Sequence, residues 1–195
     1  MDVITTLLKK IRSCRECEKH LPYGPRPIIS FSKESRILIV GQAPGRRVHK
    51  TGVPWDDPSG NRLREWMGVD RETFYDSKKI ALVPMGFCYP GTGKSGDLPP
   101  REECAPLWHE KILSELLKIK LTLLVSQYAQ KYYLGSQCKF SVTETVRAWK
   151  KYGSTYIPLP HPSPRNNIWL KKNPWFEKQL IPDLRKQVFR ILNAK

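Results

Sequence analysis

Apolar residues fall into two patterns along the chain: short unbroken runs rich in branched residues, and longer stretches with apolar positions three and four apart. Runs of the first kind are Ile37-Leu38-Ile39-Val40, the IALVPM segment within 79–85, Leu121-Thr122-Leu123-Leu124-Val125 and Tyr156-Ile157-Pro158-Leu159. They predict strands buried on both faces. The second kind predicts helices at 2–12, at 61–67 with Leu63, Trp66 and Met67 on one side and Gly68 as C-cap, and at 102–118 with Leu107, Ile112, Leu113, Leu116 and Leu117 aligned. Further helices are expected at 126–134, at 141–151 with Val142, Val146 and Trp149 on one stripe, and at 175–193, where Pro182 should kink or restart the helix. Strands alternating with helices predict an α/β fold, a four-stranded parallel sheet covered on both faces. The connector 21–28 is rich in Pro and Gly, and Tyr89 to Arg101 reads as a long polar loop. No repeat is evident, and the pattern does not set the strand order.

The length of 195 residues suits one domain, 1–195, with a core that needs no staples. Lys and Arg total 34 against 18 acidic residues, a formal charge of +16 spread through the chain. That favours a polyanion such as DNA as partner. Six Trp and eight Tyr add stacking surface. The N-terminal stretch lacks a long apolar core and no window approaches a membrane span, so a soluble, cytoplasmic protein with no membrane partner is expected. Five cysteines, an odd number, argue against a disulfide framework and point to metal or cofactor ligation.

The first strand ends in Gly41-Gln42-Ala43-Pro44-Gly45, a turn that keeps side-chain bulk away from the backbone, followed by Trp55, Asp56 and Asp57. Ligands of open parallel sheets bind at the carboxyl ends of the strands, so chemistry is expected here. A second stretch, His161-Pro162-Ser163-Pro164-Arg165-Asn166, follows the last strand. The pair resembles the two signature motifs of the uracil-DNA glycosylase superfamily, and HPSPRN is most similar to the loop of its single-strand-selective members. The resemblance runs from about Cys14 to the C-terminus. It implies a three-layer α/β/α fold with the first core strand in the middle. It also implies a monomeric, monofunctional DNA glycosylase of base excision repair, acting on single- or double-stranded DNA and flipping a deaminated base, uracil first, out of the stack. The rivals are a glycosylase for another base such as hypoxanthine, and a DNA-binding relative that has lost catalysis.

Cys14-x2-Cys17 and the widely spaced Cys88 and Cys104 could together bind tetrahedral zinc or a [4Fe-4S] cluster, and residue chemistry does not choose. The resemblance favours the cluster, because the iron-sulfur uracil-DNA glycosylases have this arrangement; its role would be structural. Cys138 is expected to be a free thiol.

The resemblance also supplies roles. His161 takes the position of the histidine that hydrogen-bonds the base as negative charge develops on it. Trp55 stands where the families stack an aromatic ring on the base, with Gly41 beside it. Gln42 is a further catalytic candidate, at a position where the iron-sulfur members usually have Glu and other members have a Gln whose backbone touches the base. Ser163 and Arg165 stand on the second loop, Arg165 filling the gap left by the flipped nucleotide. Ala43 occupies the place of a water-activating Asp. Asp57 is the candidate for that task, with Asp56 in reserve, unless the two merely cap the following helix. Pro84 replaces an Asn that reads the pyrimidine edge, so backbone groups from Pro84 to Phe87 would read the base or the substrate is not uracil. Arg46, Arg47, His49, Lys50, Lys171 and Lys172 would meet phosphates.

Overall fold

The computed structural model describes residues 2–94 and 96–194. In chain order it places α1 (Val3–Arg12), β1 (Ile37–Val40), α2 (Arg46–Thr51), α3 (Pro58–Met67), α4 (Arg71–Tyr75) and β2 (Ile80–Leu82). A small hairpin follows, β3 (Thr92–Gly93) with β4 (Gly96–Asp97), and then α5 (Cys104–Leu113), β5 (Leu121–Val125) and α6 (Gln127–Leu134). The chain closes with α7 (Val142–Arg147), β6 (Tyr156–Leu159), α8 (Asn167–Lys172) and α9 (Ile181–Asn193). The main sheet runs β2-β1-β5-β6 with every pair parallel, so the first strand is central.

Alternation along β1 explains the three layers. Ile37 and Ile39 face a cluster with Leu63 and Trp66 of α3 and Leu184 and Val188 of α9. Leu38 and Val40 face the opposite cluster with Ile4 and Ile11 of α1, Ile112 of α5 and Ala129 of α6. Because side chains alternate with period two, a strand buried on both faces must be apolar throughout. Pro158 is tolerated in β6 because that strand pairs only with β5 and its other edge needs no donor. The outer edge of β2 is covered by Ser30, whose N–H donates to the Leu82 carbonyl at 3.0 Å.

Several boundaries differ from the sequence expectation. The helix expected at 61–67 starts at Pro58, because Pro at the first turn and Asp57 as N-cap extend it upstream. Gly68 ends it in a left-handed conformation, as expected. The helix expected at 102–118 stops at Leu113, after which bonds from Glu115 N–H to Ile112 and from Leu116 N–H to Leu113 tighten the chain into turns. Leu116 is buried but Leu117 is exposed, so the stripe ends one residue early. The helix expected at 141–151 is α7 followed by a 3-10 turn at Trp149–Tyr152. Pro182 does restart the last helix, after a wide turn at Phe176–Leu180. The long polar loop contains the β3–β4 hairpin, and α2, α4 and α8 have no counterpart in the apolar pattern.

Candidate active site and cysteine cavity

Parallel strands place the carboxyl ends of β2, β1, β5 and β6 along one edge of the sheet, and a cavity of about 500 Å³ opens there. Gly41, Gln42, Ala43, Trp55, Asp57, Pro84, His161, Ser163 and Arg165 all line it. The two motifs, far apart in sequence, therefore meet in space.

Trp55 lies in the left-handed region at φ 57, a strained conformation for a bulky residue. Two glycines make room for it. A Cβ at Gly41 would stand 2.6 Å from Trp55 Cζ2, and one at Gly60 would overlap the Trp55 carbonyl oxygen. The indole is thereby laid over the glycine turn, with its ring 6.1 Å from that of His161 at 28° between planes.

His161 has a defined protonation pattern. The backbone N–H of Ser163 donates to His161 Nδ1 at 3.2 Å, so Nδ1 is an acceptor and the ring proton sits on Nε2. Burial lowers the pKa of His161, with the charges of Asp57 and Asp97 acting in the opposite direction. The histidine is thus a neutral Nε2–H donor in the cavity wall. Its loop is pinned by Asn166 Nδ2 donating to the His161 carbonyl at 2.7 Å and by Arg62 Nη1 of α3 donating to the Ser163 carbonyl at 3.1 Å. Ser163 Oγ accepts the Arg165 N–H at 3.2 Å. Ser163 shapes the loop through three of its own groups.

The acidic pair divides. Asp57 Oδ1 accepts the Gly60 N–H at 2.8 Å and caps α3, while its residue still lines the cavity. Asp56 is outside the cavity lining and pairs with Arg71 at 3.2 Å. Asp97, carried by β4, is a cavity-lining carboxylate that the sequence reading missed. No periodicity marks a two-residue strand, so only its acidity within a polar loop could have flagged it.

Pro84 sits in the cavity wall, and its carbonyl accepts a hydrogen bond from Nε2 of His109 on α5 at 3.0 Å. The N–H groups that follow are committed as well. Met85 donates to the Gly41 carbonyl at 2.9 Å, Gly86 to the Gln42 carbonyl at 2.8 Å and Phe87 to Cys104 Sγ at 3.4 Å. This segment has none of its three N–H groups left for a base edge. His109, also missed from sequence, is a further buried histidine; its Nδ1 accepts from the Tyr133 hydroxyl at 2.7 Å, and burial pushes its pKa down to about 4.

Arg165, expected to fill the gap left by the flipped nucleotide, lines the cavity, with its guanidinium against Gly96. Of the residues expected at phosphates, Arg46, Arg47, Lys50, Lys171 and Lys172 lie outside the lining, on α2 and α8, and His49 on α2 packs against both Tyr23 and Tyr89, which stack on each other.

Cys14, Cys17, Cys88 and Cys104 line a second, smaller cavity, edged by Arg101 and Phe87. Among the described residues, no three His, Cys, Asp or Glu side chains are arranged to hold a metal ion. Burial raises the Cys88 thiol to about 11 and the Cys104 thiol to about 12, and charge on the neighbouring sulfurs acts in the same direction. The donor set suits an all-sulfur group. One backbone N–H already points at sulfur, that of Phe87 at Cys104 Sγ at 3.4 Å, the kind of bond that accompanies cluster-ligating thiolates. Cys138 lies outside this cavity and approaches Thr145 Oγ1 at 3.7 Å.

Comparison with known proteins adds ancestry to this geometry. A type-4 uracil-DNA glycosylase of Sulfurisphaera tokodaii is 22% identical over 95% of this chain and 84% of its own length. One from Thermotoga maritima is 25% identical over 83% of this chain and 82% of its own. A solution structure described as a putative uracil DNA glycosylase from Methanosarcina acetivorans aligns at 16% identity over 80% of this chain and 93% of its own, with a TM-score of 0.48. The family model described as uracil DNA glycosylase superfamily matches residues 29–185, which include both cavity motifs and the β3–β4 hairpin. The chain belongs to the uracil DNA glycosylase superfamily.

Proposed function

We propose that this protein is a monofunctional DNA glycosylase of base excision repair. It takes a deaminated base, uracil first, from DNA into the 500 Å³ cavity and hydrolyses its N-glycosidic bond. The observation that carries this reading is the His161 tautomer: Nδ1 is occupied by the Ser163 N–H, which leaves Nε2–H as the ring's donor in the cavity that Trp55 borders. The flipped base stacks on Trp55 and presents a carbonyl oxygen to that donor. As the C1′–N bond breaks, its electron pair moves onto the base, and the hydrogen bond strengthens where charge accumulates. A neutral donor suffices, which matches a histidine whose pKa burial has lowered. A cavity carboxylate presents the water that attacks C1′. Arg165 occupies the space the base leaves, and the cations of α2 and α8 approach phosphates. The protein acts as one unit of residues 1–195, inside the cell and as a monomer.

Cys14, Cys17, Cys88 and Cys104 would hold a [4Fe-4S] cluster, supported by the all-sulfur donor set and the Phe87 N–H aimed at Cys104. Its contribution is structural, since glycosidic hydrolysis transfers no electrons. Zinc is the alternative occupant.

A second reading of the substrate follows from the 84–87 wall. With the N–H groups of Met85, Gly86 and Phe87 committed internally, uracil finds no donor there, which favours a base read from other walls, such as hypoxanthine. Single-turnover assays on single- and double-stranded oligonucleotides carrying uracil, hypoxanthine or xanthine, followed by alkaline cleavage, decide between them. His161→Ala should slow excision by about 100-fold or more while DNA affinity is retained. DNA binding without abasic sites on any of these oligonucleotides would instead indicate a relative without catalysis.

A further inference from the structure

We propose that Asp97, delivered by the β3–β4 hairpin, is the carboxylate that orients and deprotonates the hydrolytic water, a catalytic role for a residue outside both cavity motifs. This rests on the glycosylase reading. Among the described residues, two carboxylates line the cavity, Asp57 and Asp97. Asp57 has a structural duty, because its Oδ1 is bound to the Gly60 N–H as the cap of α3, and moving it would uncap the helix. Asp97 sits on a mount built for it. Its Oδ1 accepts from the hydroxyl of fully buried Tyr89 at 3.3 Å, a bond that orients the carboxylate. Its Oδ2 lies 3.1 Å from where a Cβ of Gly45 would be, so the absence of a side chain at the end of the glycine turn lets the carboxylate rest against it. That turn carries Ala43 and no acidic residue, and Asp97 brings a carboxylate to it from elsewhere in the chain.

The hairpin is held in place from both sides. Gly96, at φ 129, lies against the Arg165 guanidinium, and a Cβ there would overlap Arg165 Nη1. The Leu98 N–H closes the base of the hairpin onto the Gly91 carbonyl at 2.9 Å. Cys88 and Cys104 flank the whole segment, so whatever those thiols bind fixes both ends of the strap that carries Asp97. Asp97 and His161 line the same cavity.

In the step itself, the water oxygen bonds to C1′ as the C1′–N bond breaks, and the electron pair of that bond leaves with the base. One water proton passes to Asp97. Solvent then takes that proton from Asp97 and protonates the base anion, so that water and nucleotide become the free base and an abasic sugar.

The test uses the full, cofactor-loaded chain with Asp97→Asn and Asp57→Asn, the latter chosen because Asn caps helices as well as Asp. Asp97→Asn should lower the single-turnover rate by about 100- to 10,000-fold, the usual weight of a general base. Asp57→Asn should lose roughly 10-fold or less, far under the general-base range. The opposite order would overturn the assignment. A readout free of turnover is affinity for oligonucleotides holding a cationic pyrrolidine in place of the abasic sugar, relative to a neutral tetrahydrofuran. The wild-type protein should prefer the cation, by roughly 10-fold or more if the carboxylate faces the developing positive charge, and Asp97→Asn should abolish the preference. An equal preference in both proteins would refute the role of Asp97. A cation preference lost in Asp97→Asn, with no base released from any oligonucleotide, would uphold Asp97 and reject the choice of bases above.

Discussion

His109 offers a prediction whose size follows from the structure. The imidazole is buried beside Phe87, Tyr132 and Tyr133, with ring centroids 5.8 to 5.9 Å away. The Pro84 carbonyl can only accept, so Nε2 carries the proton and Nδ1 accepts from Tyr133; the ring is neutral. Burial lowers its pKa from 6.5 to about 4. Below pH 6.5 the unfolded chain takes up a proton that the native ring refuses until about pH 4, so stability falls with pH across that window. Between pH 8 and pH 5.5 the loss amounts to about 1.4 kcal/mol, and over the whole window to roughly 3 kcal/mol. His109→Gln keeps an amide donor for Pro84 but cannot titrate. Urea unfolding of both proteins at pH 8 and 5.5 should show the wild type losing about 1.4 kcal/mol more than the variant, whatever the other histidines contribute to both. Equal losses would mean that His109 is charged or solvated in the native state, and that the carbonyl end of β2 is not fixed by it.

Two further outcomes test the walls around the cavity. Gly60→Ala should destabilise the fold by about 2 to 4 kcal/mol in denaturant unfolding, because its Cβ overlaps the Trp55 carbonyl where the backbone is already strained; Gly41→Ala, which meets only the indole edge at 2.6 Å, should leave the fold largely intact and slow excision. Purified protein should be brown, with iron and sulfide by chemical analysis, and Cys88→Ser should bleach it and increase proteolytic cleavage within 89–103; a colourless protein with one zinc per chain would reject the cluster.

The candidate site was partly legible because its parts carry local signals. A glycine turn after an apolar run and the HPSPRN loop identify themselves wherever they occur, and β1 and β6 must bring them to the same edge of a parallel sheet. That predicted the meeting of Gly41, Trp55 and His161, which lie up to 120 residues apart. Sequence left the duty of Asp57 open between water activation and capping; in the structure Asp57 accepts the Gly60 N–H as the cap of α3 and also lines the cavity.

The sequence by itself determined the α/β class, because runs such as ILIV can be satisfied only by burial on both faces, and it determined the breaks at Gly68 and Pro182, because backbone chemistry is local. Only the tertiary structure decided which polar residues face the cavity. Asp97 arrives on a hairpin too short to have a period, and His109 looks like any polar position of an amphipathic helix until the Pro84 carbonyl, 25 residues away, is seen to need a donor. Such contacts join groups distant in sequence, and no local pattern encodes the partner that a buried donor, acceptor or charge will find across the fold.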